Sequence, residues 1–400
     1  MNILHVTAHL GGGVGKAHAA LSAAMPPSIR RTYLLLEEAR DRRYADEIAD
    51  HGVEVRMARG LNDIAAQAAQ ADIVQVEFWN HPRLYECLAS DLLPPMRSVF
   101  WSHVSGLFRP VIDSRLFETV HRFVFTTPAS LALGRALPES VKARLSSIGS
   151  GFGFENRGET APPDGAPICY LGTVDFVKMH PGLFDAIDGM RYDAIVAIWG
   201  AVDPEGDVAA RARAMRRPER VMFMGQTDDP RAALSASRIF FYLLQPDHYG
   251  TAENALIEAM SLGLVPVVLA NPAEQAIVTH GGDGLVAGSV ADCAALLDGL
   301  LDDPARCAAL GRVAAERAKS FSAERSADAF LRLWSEVLRE DKRKPDFAAI
   351  IGATPLDWLR STQGRAETSG KPTAERAAKG TLAHFRAAFP DHSCWTELDG

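Results

Sequence analysis

Short apolar runs separated by helix-like stretches recur along most of this chain, in two successive series. In the first, the strand-like runs are residues 3–8, 32–36, 53–57, 73–77, 98–102 and 123–126, with helical stretches such as 16–25, 44–51 and 62–70 between them. In the second they are residues 168–172, 194–199, 221–224, 239–244 and 265–269. Strands that alternate with helices of about 10–15 residues build βαβ units, because parallel neighbours need a long crossover. Between the two series lie Gly149-Ser150-Gly151-Phe152-Gly153 and a polar stretch holding Pro162-Pro163-Asp164-Gly165, the composition of a linker. The pattern predicts an α/β chain of two Rossmann-like, doubly wound domains, residues 1–160 and 161–320. A closing helix over 321–340 is expected from Phe330, Leu331, Trp334 and Leu338 at helical spacing. Residues 341–400 are expected to form a polar extension, mobile around 361–380.

Composition bounds the function. Of 400 residues, 47% are hydrophobic and 23% charged, enough for two buried cores. The net charge of −8 excludes a chain-wide basic field for nucleic acid. Cys87, Cys169, Cys293, Cys307 and Cys394 are scattered, with no CxxC pair, so neither a disulfide framework nor a zinc site is expected. The run 262–270 is too short to span a membrane and is broken by Gly263 and Pro266. The chain opens on a strand without a basic leader, so a cytoplasmic protein is expected. Peripheral contact with the inner membrane face stays open, and nothing fixes the oligomeric state.

After the first strand comes Gly11-Gly12-Gly13-Val14-Gly15-Lys16, opening a helix. Such turns bring backbone amides and a helix N-terminus close to a ligand. A phosphate-binding P-loop would need glycine at Leu10 and a hydroxyl at Ala17; a dinucleotide fingerprint would need glycine at Lys16. What remains is a ligand-facing glycine loop or a tight turn with no ligand.

In the second half, Glu258-Ala259-Met260-Ser261-Leu262-Gly263-Leu264-Val265-Pro266-Val267-Val268 is followed by Glu274-Gln275-Ala276-Ile277-Val278 and Asp283-Gly284-Leu285-Val286. This block resembles the donor-site signature of the retaining, nucleotide-sugar-dependent glycosyltransferases of family 4 (glycosyl transferases group 1), which have the GT-B fold. Tyr170-Leu171-Gly172-Thr173 with Lys178, Phe223-Met224-Gly225-Gln226, Trp101-Ser102-His103 and Phe321-Ser322-Ala323-Glu324 resemble further family elements in the same order. The likeness spans roughly residues 1–338.

The resemblance implies a deep cleft between acceptor-side and donor-side domains. It implies sugar transfer, with retention and without a metal or resident cofactor, from a UDP- or GDP-linked sugar to a hydroxyl of a glycan, lipid-linked or small-molecule acceptor. Lys178 and the amides of Asn254 and Ala255 would stabilise the departing diphosphate, and Glu258 would accept from the ribose hydroxyls. His103 would hydrogen-bond the transferred sugar. Gly12, Gly13, Gly172, Thr173, Gly225, Gln226, Asp247, Gly250, Thr251 and Glu253 complete the implied donor site.

Two departures stand out. Gly250 occupies the place of the family's first carboxylate, with Asp247 or Glu253 as possible substitutes, and Thr173 stands where arginine is common. On the acceptor side, Lys16, Glu77, Asn80 and His81 are candidates because open α/β sheets bind ligands at the carboxyl ends of their strands. Two other readings compete. One is a degenerate homologue that binds a nucleotide sugar or glycan without turnover; the other is a nucleoside-triphosphate switch built on Gly11–Lys16. The arginines 211, 213, 216, 217 and 220 and the triplet Lys342-Arg343-Lys344 read as solvated faces, or as attraction to an anionic membrane or lipid-linked acceptor.

Overall fold

A computed structural model describes residues 1–38, 41–151, 153–154, 166–251, 253–364 and 380–399. The chain divides into two units, Met1–Gly151 with Ala323–Gly400, and Phe152–Ser322. Most of the linker stretch, and most of the stretch expected to be mobile, fall outside the described residues.

The first unit holds β1 (Asn2–Thr7), β2 (Arg30–Leu35), β3 (Glu54–Met57), β4 (Ile73–Phe78), β5 (Ser98–Ser102), β6 (Arg122–Phe125) and β7 (Leu145–Ser147). They form one parallel sheet in the order β3-β2-β1-β4-β5-β6-β7. The second unit holds β8 (Ile168–Leu171), β9 (Val196–Trp199), β10 (Val221–Gly225), β11 (Ile239–Tyr242), β12 (Val265–Leu269) and β13 (Leu285–Ala287). Its parallel order is β10-β9-β8-β11-β12-β13. Central strands β4, β5, β11 and β12 are buried along their whole length, as expected where helices cover both faces, which is why they read as unbroken apolar runs. The edge strands β3 and β10 are only partly buried.

The returning chain is built into the first unit rather than hanging from it. Helix Ala323–Val337 buries Phe330, Leu333, Trp334 and Val337. Phe330 packs edge-on to Trp101, with centroids 4.8 Å apart, and Trp334 Nε1 donates to Gln75 Oε1 at 2.9 Å. The basic triplet then stitches the chain down. Lys342 Nζ donates to the carbonyls of Ala69 (3.1 Å) and Ala71 (2.9 Å), Arg343 bridges Met96, and Lys344 Nζ donates to Asp91 O at 2.7 Å. The two lysines cap carbonyls of their own unit. In the described part of 341–400, helix Leu382–Ala388 packs against helix Pro82–Leu88: Phe385 meets Tyr85, and the Arg83 guanidinium lies 4.5 Å from the Phe389 ring centroid.

The arginine run of the second unit is also tied down. Arg220 is buried, donating to Ile187 O and Met190 O at 3.0 Å, and Arg211 pairs with Asp185. Among the described residues no helix is long and apolar enough to cross a membrane, and all five cysteines are buried and unpaired.

Candidate active site

Strand order reverses between β8 and β11 in the second unit and between β1 and β4 in the first. Loops leaving the carboxyl ends of such neighbours part in opposite directions and open a crevice where ligands bind.

In the second unit, Lys178 lies between β8 and the loop after β11. The Asp175 carboxylate accepts from its backbone N–H, and its carbonyl accepts from Gln245 N–H at 2.8 Å. Met179 bridges Leu244 beside it. The side chain is half-buried, with Nζ 5.7 Å from the Tyr242 ring centroid. Burial opposes its charge, but Tyr242, Tyr249 and the Glu274 carboxylate outweigh burial and push its pKa up, so it stays a cation.

Helix Glu253–Ser261 follows, and the first-turn amides of Glu253, Asn254 and Ala255 have no partner within the helix. Glu258 is 3% exposed, so it is not a solvated helix carboxylate. The loops after β8, β9 and β10 are joined by backbone bonds, Gly172 N–H to Trp199 O (3.1 Å) and Gly200 N–H to Gly225 O (2.9 Å). They bring Gly172, Thr173 and Gly225 to the same end of the sheet. Thr173 and Gln226 are exposed there.

The loop from Asp247 to Thr251 is held by His248, whose Nδ1 accepts from Gly250 N–H at 3.1 Å. A Cβ at Gly250 would lie 3.9 Å from Lys178 Cε, so the position lacking a carboxylate adjoins the lysine. Asp247 is exposed and Thr251 is buried; the Glu253 side chain lies outside what is described. Sequence reading passed over His248, and it read Glu274 only as part of a motif. Glu274 is fully buried, accepts from Asn271 Nδ2 at 2.9 Å, lies 3.7 Å from His248 Nε2, and has no hydrogen-bond partner at Oε2 among the described residues.

In the first unit, Gly12 and Gly13 are exposed at the start of helix Gly12–Ala24, and Lys16 is half-buried on it. Glu77 is fully buried on β4 and enclosed by its own unit instead of facing solvent. His18 lies 2.9 Å and His103 3.1 Å from its Oε2, while His5 (2.8 Å) and Gln75 (3.0 Å) reach Oε1. Asn80 is buried too, with φ +60, and donates to Tyr85 OH at 2.9 Å. His81, 2% exposed, caps helix Pro82–Leu88. The sequence pointed to Glu77, but not to His5 and His18, which lie 72 and 59 positions away from it.

Among the described residues, two groups of ligand atoms lie within metal-ligating reach of one another, His5–His18–Glu77 and His9–Glu37–His81. Hydrogen bonding gives the second group other work. Gly11 N–H donates to His9 Nδ1 (3.0 Å) and Arg83 N–H to His81 Nδ1 (3.3 Å). A neutral imidazole has one lone pair, so both Nε2 atoms carry hydrogens, and that of His81 meets Glu37 at 3.0 Å.

Burial lowers the His5 pKa from 6.5 to about 4. The unfolded chain therefore takes up a proton that the folded chain refuses as pH falls from 6.5 towards 4, and stability falls by about 3 kcal/mol over that window. His121 and His180, also lowered by burial, act in the same direction. Denaturant unfolding at pH 7 and pH 4.5 should show the loss; a flat profile would contradict it.

The family model of glycosyl transferases group 1 matches residues 154–317. No curated protein sequence matches the chain. Among solved structures, the fold is similar to Anabaena HepE in complex with UDP, with TM-score 0.67 and 15% identity over 84% of this chain and 100% of that one. It is similar to a Rickettsia africae glycosyltransferase, with TM-score 0.68 and 12% identity over 85% and 99%. It is also similar to sucrose-phosphate synthase of Thermosynechococcus elongatus, with TM-score 0.64 and 17% identity over 84% and 99%. The chain thus has the GT-B fold, two doubly wound parallel sheets, and its residues 154–317 match the model of glycosyl transferases group 1.

Proposed function

We propose that the chain is a glycosyltransferase that moves a sugar from a nucleoside-diphosphate donor to an acceptor hydroxyl, retaining the anomeric configuration and using no metal. The observation that carries the reading is Lys178, a half-buried cation at the β8–β11 switch point, in the same unit as the first-turn amides of helix Glu253–Ser261. A departing diphosphate needs fixed positive charge and oriented donors, and these supply both. Glu258 holds the ribose hydroxyls, and His103 hydrogen-bonds the transferred sugar. Asp247 or Glu253 takes over the contact missing at Gly250. The leaving phosphate helps deprotonate the acceptor, so no protein nucleophile is invoked. UDP is the first nucleotide to try, because the Anabaena structures hold UDP and UDP-glucose. The acceptor is a glycan, a lipid-linked sugar or a small molecule, met in the cytoplasm or at the membrane's inner face.

Thermal unfolding with UDP, GDP and their sugars, in EDTA, tests binding. At a hundred times Kd a ligand adds about 2.7 kcal/mol, a shift of several degrees. No shift with any nucleotide would refute the donor site, and a shift that disappears in EDTA would refute metal independence. The exposed Asp247 and the bare Gly250 favour one second reading, a homologue that binds donor without turnover. Release of UDP or GDP from the matching nucleotide sugar on adding a cell extract separates the two.

A further inference from the structure

The neighbours of His18 fix where its hydrogen sits. The Ser22 hydroxyl donates to His18 O at 2.7 Å, so in its hydrogen bond with the Tyr33 hydroxyl it acts as acceptor. That bond uses the one hydrogen Tyr33 has. Arg31 on β2, which can only donate, reaches the same Tyr33 oxygen at 3.4 Å. Between Tyr33 and His18 Nδ1, 2.8 Å apart, the hydrogen therefore belongs to the histidine. A neutral His18 is left with a bare lone pair at Nε2.

That lone pair lies 2.9 Å from Glu77 Oε2, yet Nε2 makes no hydrogen bond among the described residues. Two lone pairs this close in a fully buried site repel unless a positive charge is shared between them. A proton on either group would give an aligned hydrogen bond along the line joining the atoms, and the two are not aligned for one. A metal ion bound to both lies off that line. Donors about 2 Å from one ion stand about 3 Å apart. His18 Nε2 to Oε2 is 2.9 Å and His5 Nδ1 to Oε1 is 2.8 Å. His5 has no hydrogen-bond partner at Nε2 among the described residues, so nothing prevents the ring from carrying its hydrogen there and ligating through Nδ1. Outer contacts are in place as well, since ligating imidazoles and carboxylates are themselves hydrogen-bonded. His18 donates to Tyr33, and Glu77 Oε1 accepts at 3.0 Å from Gln75, whose amide is oriented by Trp334.

We propose that His5 Nδ1, His18 Nε2 and the Glu77 carboxylate hold a divalent transition-metal ion, zinc or one of similar chemistry, in a structural site. Imidazole and carboxylate donors suit such an ion. All three side chains are 0% exposed, so no coordination position opens to solvent and no substrate reaches the ion. It ties β1 and the first helix, which flank the glycine turn, to β4 within the first unit. The metal-free transfer proposed above concerns the donor site of the second unit and does not depend on this ion.

The full chain, expressed with zinc in the medium and desalted, should carry about one zinc per chain by plasma mass spectrometry. Glu77→Gln and His18→Ala should each bring this below about 0.1. Wild-type chain unfolded in EDTA and refolded with Zn²⁺ should melt several degrees higher than chain refolded without it. In the nucleotide experiment EDTA should lower the starting melting temperature and leave the nucleotide-induced shift. If neither variant folds, X-ray absorption at the zinc edge of the wild type decides: two imidazole ligands and no sulfur support the site, and any other imidazole count or a sulfur ligand overturns it. A wild type that holds less than about 0.1 zinc both as purified and after refolding with Zn²⁺ overturns it too, leaving His18 and Glu77 as a plain buried ion pair. So does a zinc content unchanged in the folded variants.

Discussion

Lys178→Ala should weaken binding of the nucleoside diphosphate by about 30–150-fold, the equivalent of about 2–3 kcal/mol. The lysine is held at its backbone by Asp175 and Gln245, so truncation removes the ammonium group without releasing the segment. Its half-burial excludes part of the solvent that would otherwise screen a phosphate contact. Glu258→Ala should cost about 1.5–3 kcal/mol through the lost ribose contacts, a smaller effect on the same titration. Calorimetric titration with UDP and GDP measures both. Wild-type affinity in both variants would remove the donor site from this part of the molecule.

Gly15→Ala should destabilise the first unit by about 3 kcal/mol or more, through overpacking that backbone atoms cannot relieve. A Cβ there would stand 1.8 Å from Leu10 O, 2.6 Å from Leu10 C and 3.0 Å from Tyr44 Cβ. Gly12→Ala differs: φ is +63 but the space around it is open, so the cost is the left-handed backbone alone, about 1–2 kcal/mol. In thermal denaturation the two should differ by several degrees, with Gly15→Ala the lower. Equal melting temperatures would contradict this account of the glycine turn. Gly15 is thus required by packing inside the turn, whether or not a ligand binds there.

The βαβ alternation was legible because central strands buried on both faces leave unbroken apolar runs, as at β4 and β12. β7 and β13 were missed: Leu145–Ser147 and Leu285–Ala287 have three residues each, too few for any period to register. Several second-unit candidates drew notice because they fall close together in sequence, from Asp247 to Glu258. The Glu77 network could not, since its partners come from residues 5, 18, 75, 103 and 334 and only the folded sheet brings them together. A glutamate at the end of a strand reads as reaching for a ligand; the histidines that enclose Glu77 carry no local signature. The contacts of the basic triplet were hidden for a similar reason. Lys342 and Lys344 look like part of a solvated charge run until the carbonyls they cap are visible.

A crystal structure of the chain soaked with UDP puts the donor site to its most direct test. The pyrophosphate oxygens should lie within about 3 Å of Lys178 Nζ and of the first amides of helix Glu253–Ser261, the reach of charge-assisted hydrogen bonds. UDP bound elsewhere, or that place filled by the protein's own side chains while UDP binds, would contradict the assignment.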